Sequence, residues 1–139
     1  MICFGDGPLR DELERQAAIP GQHPLARIMN YRADASSWLG ATDFFILPSR
    51  WEGQPHVVLE ALCAGLSVVS NCPVGVQDLV FDGRNGRQTS SVDELAAVII
   101  DWSTRPEKRN LDHELTAAVL AQHDLTEVAT HYETLYRDA

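Results

Sequence analysis

The 139-residue chain has only three cysteines, Cys3, Cys63 and Cys72, and no CxxC pair among them. An odd, scattered set excludes a disulfide framework and offers no zinc-ligand spacing; it fits reduced thiols in a cytosolic protein. No apolar run approaches the roughly 20 residues of a membrane-spanning helix, and no basic stretch followed by a signal-like core opens the chain. Positive charge is scarce as well. Lys and Arg number 11 against 20 Asp and Glu, giving a formal net charge of -9. That balance argues against nucleic acid or an anionic membrane as the main partner, and an acidic surface is commonly a solubility feature. Internal repeats, linkers and low-complexity tracts are absent.

Apolar residues, 45% of the chain, suffice for one globular domain over 1–139 that buries about two-thirds of its unfolded surface. "MICF" reads as a strand, "GDGP" as a turn, and Pro8 as the first position of a helix with Leu9 and Leu13 on one face. "PGQHP" breaks that helix. "ARIMNY" is a second strand, "SSWLGAT" a short helix, and "DFFILP" a third strand. "PHVVLEALCAG" is a helix with Gly65 as its C-terminal cap. "LSVVSN" is a fourth strand and "VGVQDLVFDG" a short helix and turn. Strands apolar at every position, alternating with helices, predict a Rossmann-like α/β fold: a parallel sheet covered on both faces, three layers deep. Three C-terminal helices follow. A capping box at Ser91 and Glu94 opens the first, with Leu95, Val98, Ile99 and Trp102 as its stripe. Pro106 opens the second, running to about His123. The last carries Val128, Tyr132, Leu135 and Tyr136 on one face, to pack around the sheet edge or over a neighbour.

One residue stands out. From Val57 to Ala64 every side chain is apolar except Glu60. An enclosed carboxylate without partners costs several kcal/mol, so Glu60 must face a partner, a ligand or water. Its helix follows the strand end "ILPS" through the loop "RWEGQ", and ligands of open α/β sheets collect outside the carboxyl ends of strands. Helix N-termini there present unpaired N–H groups suited to phosphate. Gly53 allows a tight turn, Pro55 starts the helix, and the amides near Gln54, His56 and Val57 are the donors. Glu60, a turn further in, can accept from a diol such as a ribose, and Glu52 from another hydroxylated group. Pairing of Glu60 with Arg50 or Arg32, or a place on an exposed stripe, remains equally compatible with the residues.

"FFILPSRWEGQPHVVLEALCAGLSVVS" resembles the nucleotide-sugar signature of the GT4 family, retaining glycosyltransferases of the GT-B fold. There, two glutamates separated by seven residues follow an apolar strand ending in Pro-Ser, as Glu52 and Glu60 do here. "ICFGDGPLRDELE", "IMNYRAD", "GVQDLVFDGRNGRQ", "SVDELAAVI" and "VATHYETLY" resemble further family segments in the right order. The resemblance implies that Glu52 is the catalytic-site glutamate that contacts the donor sugar, and that Glu60 binds the ribose. It places Gly53, Gln54, Pro55, His56 and Val57 at the sugar and diphosphate, and Tyr31, Arg32 and Asp34 beside the nucleobase. Position 55 is more often Gly in the family; Pro cannot donate there and narrows the hole for the sugar. His56 then acts through its backbone rather than as a base, and His23, His113, His123 and His131 are unremarkable.

The same resemblance implies a partial, N-terminally truncated C-terminal domain, lacking the acceptor-binding domain and the Arg and Lys that usually pair with the diphosphate. Without that pair, the isolated chain is expected to transfer no hexose to a glycan or lipid-linked acceptor. It reads as the product of a broken gene, a fragment, or half of a split enzyme that self-associates or needs a partner chain. The expected donor is a UDP- or GDP-sugar, used in the cytoplasm or at the inner membrane face. No metal or other cofactor is expected, since no Asp-x-Asp pair is present. Two alternatives differ in class. One is a non-catalytic interaction module derived from this fold. The other, a dinucleotide-binding domain, fails because "GDGPLR" lacks the third glycine of GxGxxG and no acidic residue ends the second strand.

Overall fold

A computed structural model of the chain describes residues 1–18 and 26–137; the expected helix break at "PGQHP" and His23 lie outside them. By its contacts the chain divides into two compact units, Met1–Trp38 and Leu39–Ala139.

In the first unit, β1 (Ile2–Phe4) pairs in parallel with β2 (Arg27–Met29), Cys3 opposite Ile28. α1 (Arg10–Ala17) connects them. It begins two residues later than Pro8 suggests, because Pro8 and Leu9 are taken up in the turn that Arg10 N–H closes on the Gly7 carbonyl. No residue of α1 is fully buried, and Leu9 and Leu13 stay exposed. The unit is tied instead by Arg10, whose guanidinium donates to the Gly5 and Ile28 carbonyls at 3.1 and 3.3 Å and pairs with Glu14 at 2.8 Å. The short helix expected at "SSWLGAT" is a 3-10 helix over Ala35–Ala41.

The second unit holds a parallel sheet in the order β3 (Phe45–Leu47), β4 (Val68–Ser70), β5 (Gly86–Gln88). Every residue of β4 is buried, as a central strand covered on both faces requires. Val68 faces a cluster with Leu47, Val58, Ala61, Leu62, Val76 and Leu79, while Val69 faces Leu95 and Trp102. α2 (His56–Cys63) and α4 (His113–Gln122) thus contribute to one side and α3 (Val92–Thr104) to the other, the expected three layers. The α3 stripe of Leu95, Val98, Ile99 and Trp102 is in place, with Phe44 against Trp102 edge to face at 5.4 Å. Gly65 ends α2 at φ +77, its N–H on the Leu62 carbonyl and the Leu66 N–H on that of Ala61. This is the Schellman pattern that a glycine beyond the cap permits.

Four local expectations change. Ser91 Oγ does accept from Glu94 N–H at 3.1 Å, but Glu94 reaches back one residue further than a capping box does, to the N–H and hydroxyl of Ser90 at 2.8 and 2.9 Å. "VGVQDLVFDG" forms no helix beyond the turn that Val80 N–H closes on Val76. Asn85, fully buried, takes over the following backbone: its Oδ1 accepts from Phe81 N–H at 2.8 Å and its Nδ2 donates to the Leu79 carbonyl at 2.9 Å. β5, with the polar sequence GRQ, is a strand the pattern does not announce. The Pro106 helix is one 3-10 turn, Pro106–Lys108, and α4 starts afresh at Asp112.

Asp112 caps α4, its carboxylate accepting from Leu115 N–H at 2.9 Å and from Arg84 Nε at 3.0 Å. The Leu115 amide first, and the Arg84 guanidinium second, hold this carboxyl below the ordinary aspartate value of 3.8. A depressed folded-state pKa means that its contribution is complete above the ordinary value and is lost as pH falls through the folded one. Asn caps almost as well but carries no charge. Wild type should therefore melt higher than Asp112→Asn at neutral pH, and the gap should close below about pH 4. Thermal unfolding across that range checks it, and a gap independent of pH would refute it.

Candidate functional site

The carboxyl ends of β3 and β4 each run into a loop, and the two loops meet. Glu52, in the loop after β3, donates its N–H to the Val74 carbonyl in the loop after β4, at 3.2 Å. Gly75 lies so near that a Cβ on it would stand 2.4 Å from the Glu52 carbonyl oxygen. Its φ of +93 is a backbone state glycine adopts readily. The Glu52 side chain is half-buried and Oε1 accepts the Ser49 hydroxyl at 2.6 Å. That bond uses one oxygen and leaves the other to accept from a ligand hydroxyl.

From Glu52 the chain passes through Gly53 and Gln54, both exposed, to the buried Pro55. Pro55 is the N-cap of α2 rather than its first helical residue, at φ -74 and ψ 97. The amides of Gln54, His56 and Val57 have no acceptor among the described residues, whereas Val58 N–H bonds to the Pro55 carbonyl at 2.9 Å. Open donors at the positive end of a helix suit an anionic ligand.

Glu60 answers its own puzzle by position. Val58, Ala61 and Leu62 take the buried face of α2, and His56, Val57, Glu60, Cys63 and Ala64 the exposed one. Of the two suggested arginines, Arg50 forms no ion pair among the described residues, and Arg32 is engaged within its own unit by Asp34 at 2.7 Å. The carboxylate is therefore solvated and open, one turn along the exposed face from the unpaired amides.

Tyr31, Arg32 and Asp34 belong to the first unit. Tyr31 N–H donates to Asp6 at 2.7 Å and leaves its ring exposed. Arg32 grips Asp34 with two hydrogen bonds, 2.8 and 2.7 Å, and lies 5.3 Å over the Trp38 ring. The guanidinium, chiefly through its hydrogen bond, lowers the Asp34 pKa. Much of the polar capacity of this pair is thus turned inward.

Several residues at the strand ends escape the sequence reading. Ser70, buried at the end of β4, donates to the Leu47 carbonyl at 2.9 Å and accepts from Cys72 N–H at 3.0 Å, joining the starts of both loops. Next to it, Asn71 Oδ1 is a buried oxygen with no hydrogen-bond partner among the described residues. Gln77 braces the second loop. Short polar residues just after an apolar strand were the available signal. Among the described residues no group of three or more His, Cys, Asp or Glu is placed to hold a metal, and no helix is long and apolar enough to cross a membrane.

A parallel α/β unit of Rossmann-like kind thus carries open amides and two differently held carboxylates beyond its strand ends, the place where ligands of such sheets collect. The chain belongs to the family of glycosyl transferases group 1, whose model matches residues 1–105. Among its relatives is the lipopolysaccharide core biosynthesis glycosyltransferase LpsE of Rhizobium meliloti, 28% identical over 130 residues. The match covers 89% of this chain and 38% of LpsE. The Vi polysaccharide biosynthesis protein VipC/TviE of Salmonella typhi is 32% identical over 104 residues, 75% of this chain and 18% of its own length. Anabaena HepE, solved in complex with UDP-glucose, superposes with a TM-score of 0.78 at 25% identity, over 98% of this chain and 40% of that one. The chain therefore spans well under half the length of these proteins. Its parallel α/β architecture is that of the GT-B glycosyltransferases, as the resemblance implied.

Proposed function

We propose that this chain is the nucleotide-sugar-binding side of a retaining, GT4-type glycosyltransferase. The reading rests on one observation above all: Glu60 and the amides of Gln54, His56 and Val57 share one exposed helix end with no partners among the described residues, while Glu52 beside them is held from two sides. In this reading Glu60 accepts from the ribose hydroxyls and the amides hold the diphosphate. Glu52 accepts from the donor sugar with the oxygen that Ser49 leaves open, and acts there as the catalytic-site carboxylate. Gly53 and Pro55 shape the loop around the sugar. Tyr31, Arg32 and Asp34, in the first unit, are assigned to the nucleobase from the family resemblance.

The UDP-glucose complex of Anabaena HepE supports a UDP-sugar over a GDP-sugar, and a hexose as its sugar. Transfer to a glycan or lipid-linked acceptor, in the cytoplasm or at the inner membrane face, is proposed for the whole protein; these 139 residues alone would bind donor without turning it over. No metal is assigned to the step, because open amides supply the positive end that a leaving diphosphate needs.

Calorimetric titration with UDP, GDP and ADP tests the reading. UDP should bind, and Glu60→Ala should weaken it about tenfold to a hundredfold, the loss of hydrogen bonds to a charged acceptor. Equal affinities in wild type and variant would remove Glu60 from the site. One observation favours a second reading, an interaction module. α5 (Leu125–Arg137) leaves its apolar face uncovered, with Leu125, Tyr132, Leu135 and Tyr136 all exposed. Self-association or a partner chain would cover it, and sedimentation over a wide concentration range distinguishes the two.

A further inference from the structure

We infer that Gln77 is a positioning residue for the donor sugar, acting through the loop that fixes Glu52; this rests on the donor-site reading above. The side-chain amide of Gln77 bridges the Pro73–Gly75 turn. Its Oε1 accepts from Gly75 N–H at 2.8 Å, and its Nε2 donates to the Pro73 carbonyl. Both contacts flank Val74, whose carbonyl accepts Glu52 N–H at 3.2 Å and the Cys72 thiol at 2.8 Å. The carbonyl that anchors Glu52 is thus held in place by an amide clamp on either side.

The other end of Glu52 is held by Ser49, within its own loop. Two anchors set the direction of the unengaged carboxylate oxygen, and a hydrogen bond weakens steeply when its angle departs from linear. A shift of the Val74 carbonyl would swing Glu52 while leaving α2, and with it Glu60, seated on Val58, Ala61 and Leu62. Gln77 therefore governs recognition of the sugar and not of the nucleoside diphosphate. Its side chain is exposed and outside the core, so replacing it opens no cavity.

The test uses the full chain, with UDP-glucose and UDP as probes. Gln77→Met keeps the length of the side chain and removes both hydrogen bonds. UDP-glucose affinity should fall about fivefold to tenfold while UDP affinity stays within about twofold. Gln77→Glu, which retains the acceptor for Gly75, should lie between. Amide hydrogen exchange at Glu52 should quicken in Gln77→Met with the melting temperature unchanged. Parallel loss of both ligands would assign Gln77 a general structural role and overturn the inference, as would wild-type behaviour with unchanged Glu52 exchange. Wild type binding neither probe would instead overturn the donor-site reading and this inference with it.

Discussion

Gly75→Ala should lower stability by about 2–3 kcal/mol, the combined cost of a left-handed backbone and a forced displacement, and should reduce nucleotide-sugar binding more than tenfold. Two separate penalties fall on one atom. At φ +93 an L side chain is strained wherever it sits. The added Cβ would also meet the Glu52 carbonyl oxygen at 2.4 Å, its carbonyl carbon at 2.8 Å and its Cβ at 3.0 Å. Backbone atoms cannot rotate out of the way as a side-chain tip can. The loop carrying Glu52 must therefore lift from the loop after β4, and Glu52 N–H loses the Val74 carbonyl. Urea unfolding and calorimetry with UDP-glucose measure the two penalties separately. Wild-type values for both would show that the loops do not meet in solution as described here.

Leu62→Ala should cost about 3–4 kcal/mol, within the range for truncating a buried leucine. Leu62 is 2% exposed and packs in the cluster of Leu47, Val58, Val68, Val76 and Leu79 that seats α2 on the sheet. Leu47, Val58, Ala61, Val68 and Val119 of that cluster are held on strands and helices, so little can move in to fill the gap. The urea midpoint should fall with an unchanged slope. A loss under about 1 kcal/mol would mean that the helix collapses onto the sheet and the site tolerates its shift. Because Leu62 lies opposite Glu60 on α2, the variant also asks how firmly the open carboxylate is held.

What the sequence made legible follows from what burial demands. β4 had to be apolar on both sides because helices cover both faces, and "LSVVS" displays that directly. α2 declared itself by one carboxylate in an apolar run, and its end by Gly65. β5 stayed hidden for the opposite reason. Its residues GRQ carry no apolar pattern, and they are a strand because Val68 to Ser70 pair with them, Val68 opposite Gly86. The missing helix at "VGVQDLV" has a cause outside its own stretch as well, since Asn85 satisfies the backbone that a helix would have satisfied itself. The second break, before α4, was readable in principle, for Asp112 followed by a polar first turn is a capping signal.

The site shows the same division. The Glu52 and Glu60 spacing lies on one continuous stretch, so its chemistry could be proposed from the residues together with the family resemblance they carry. The contact of Glu52 with Val74 joins loops separated by a helix and a strand, and only the fold brings them together. Gln77 acts at one further remove.

The three thiols are free, and they differ in access: Cys3 and Cys63 are exposed while Cys72 is buried with its Sγ on the Val74 carbonyl. Alkylating reagents can therefore act as a clock on this molecule. Cys63 sits on the exposed face of α2 beside Glu60, where a label would crowd a nucleoside bound as proposed. Cys72 reacts only when the turn around Val74 opens, so its labelling rate times the release of the Glu52 loop.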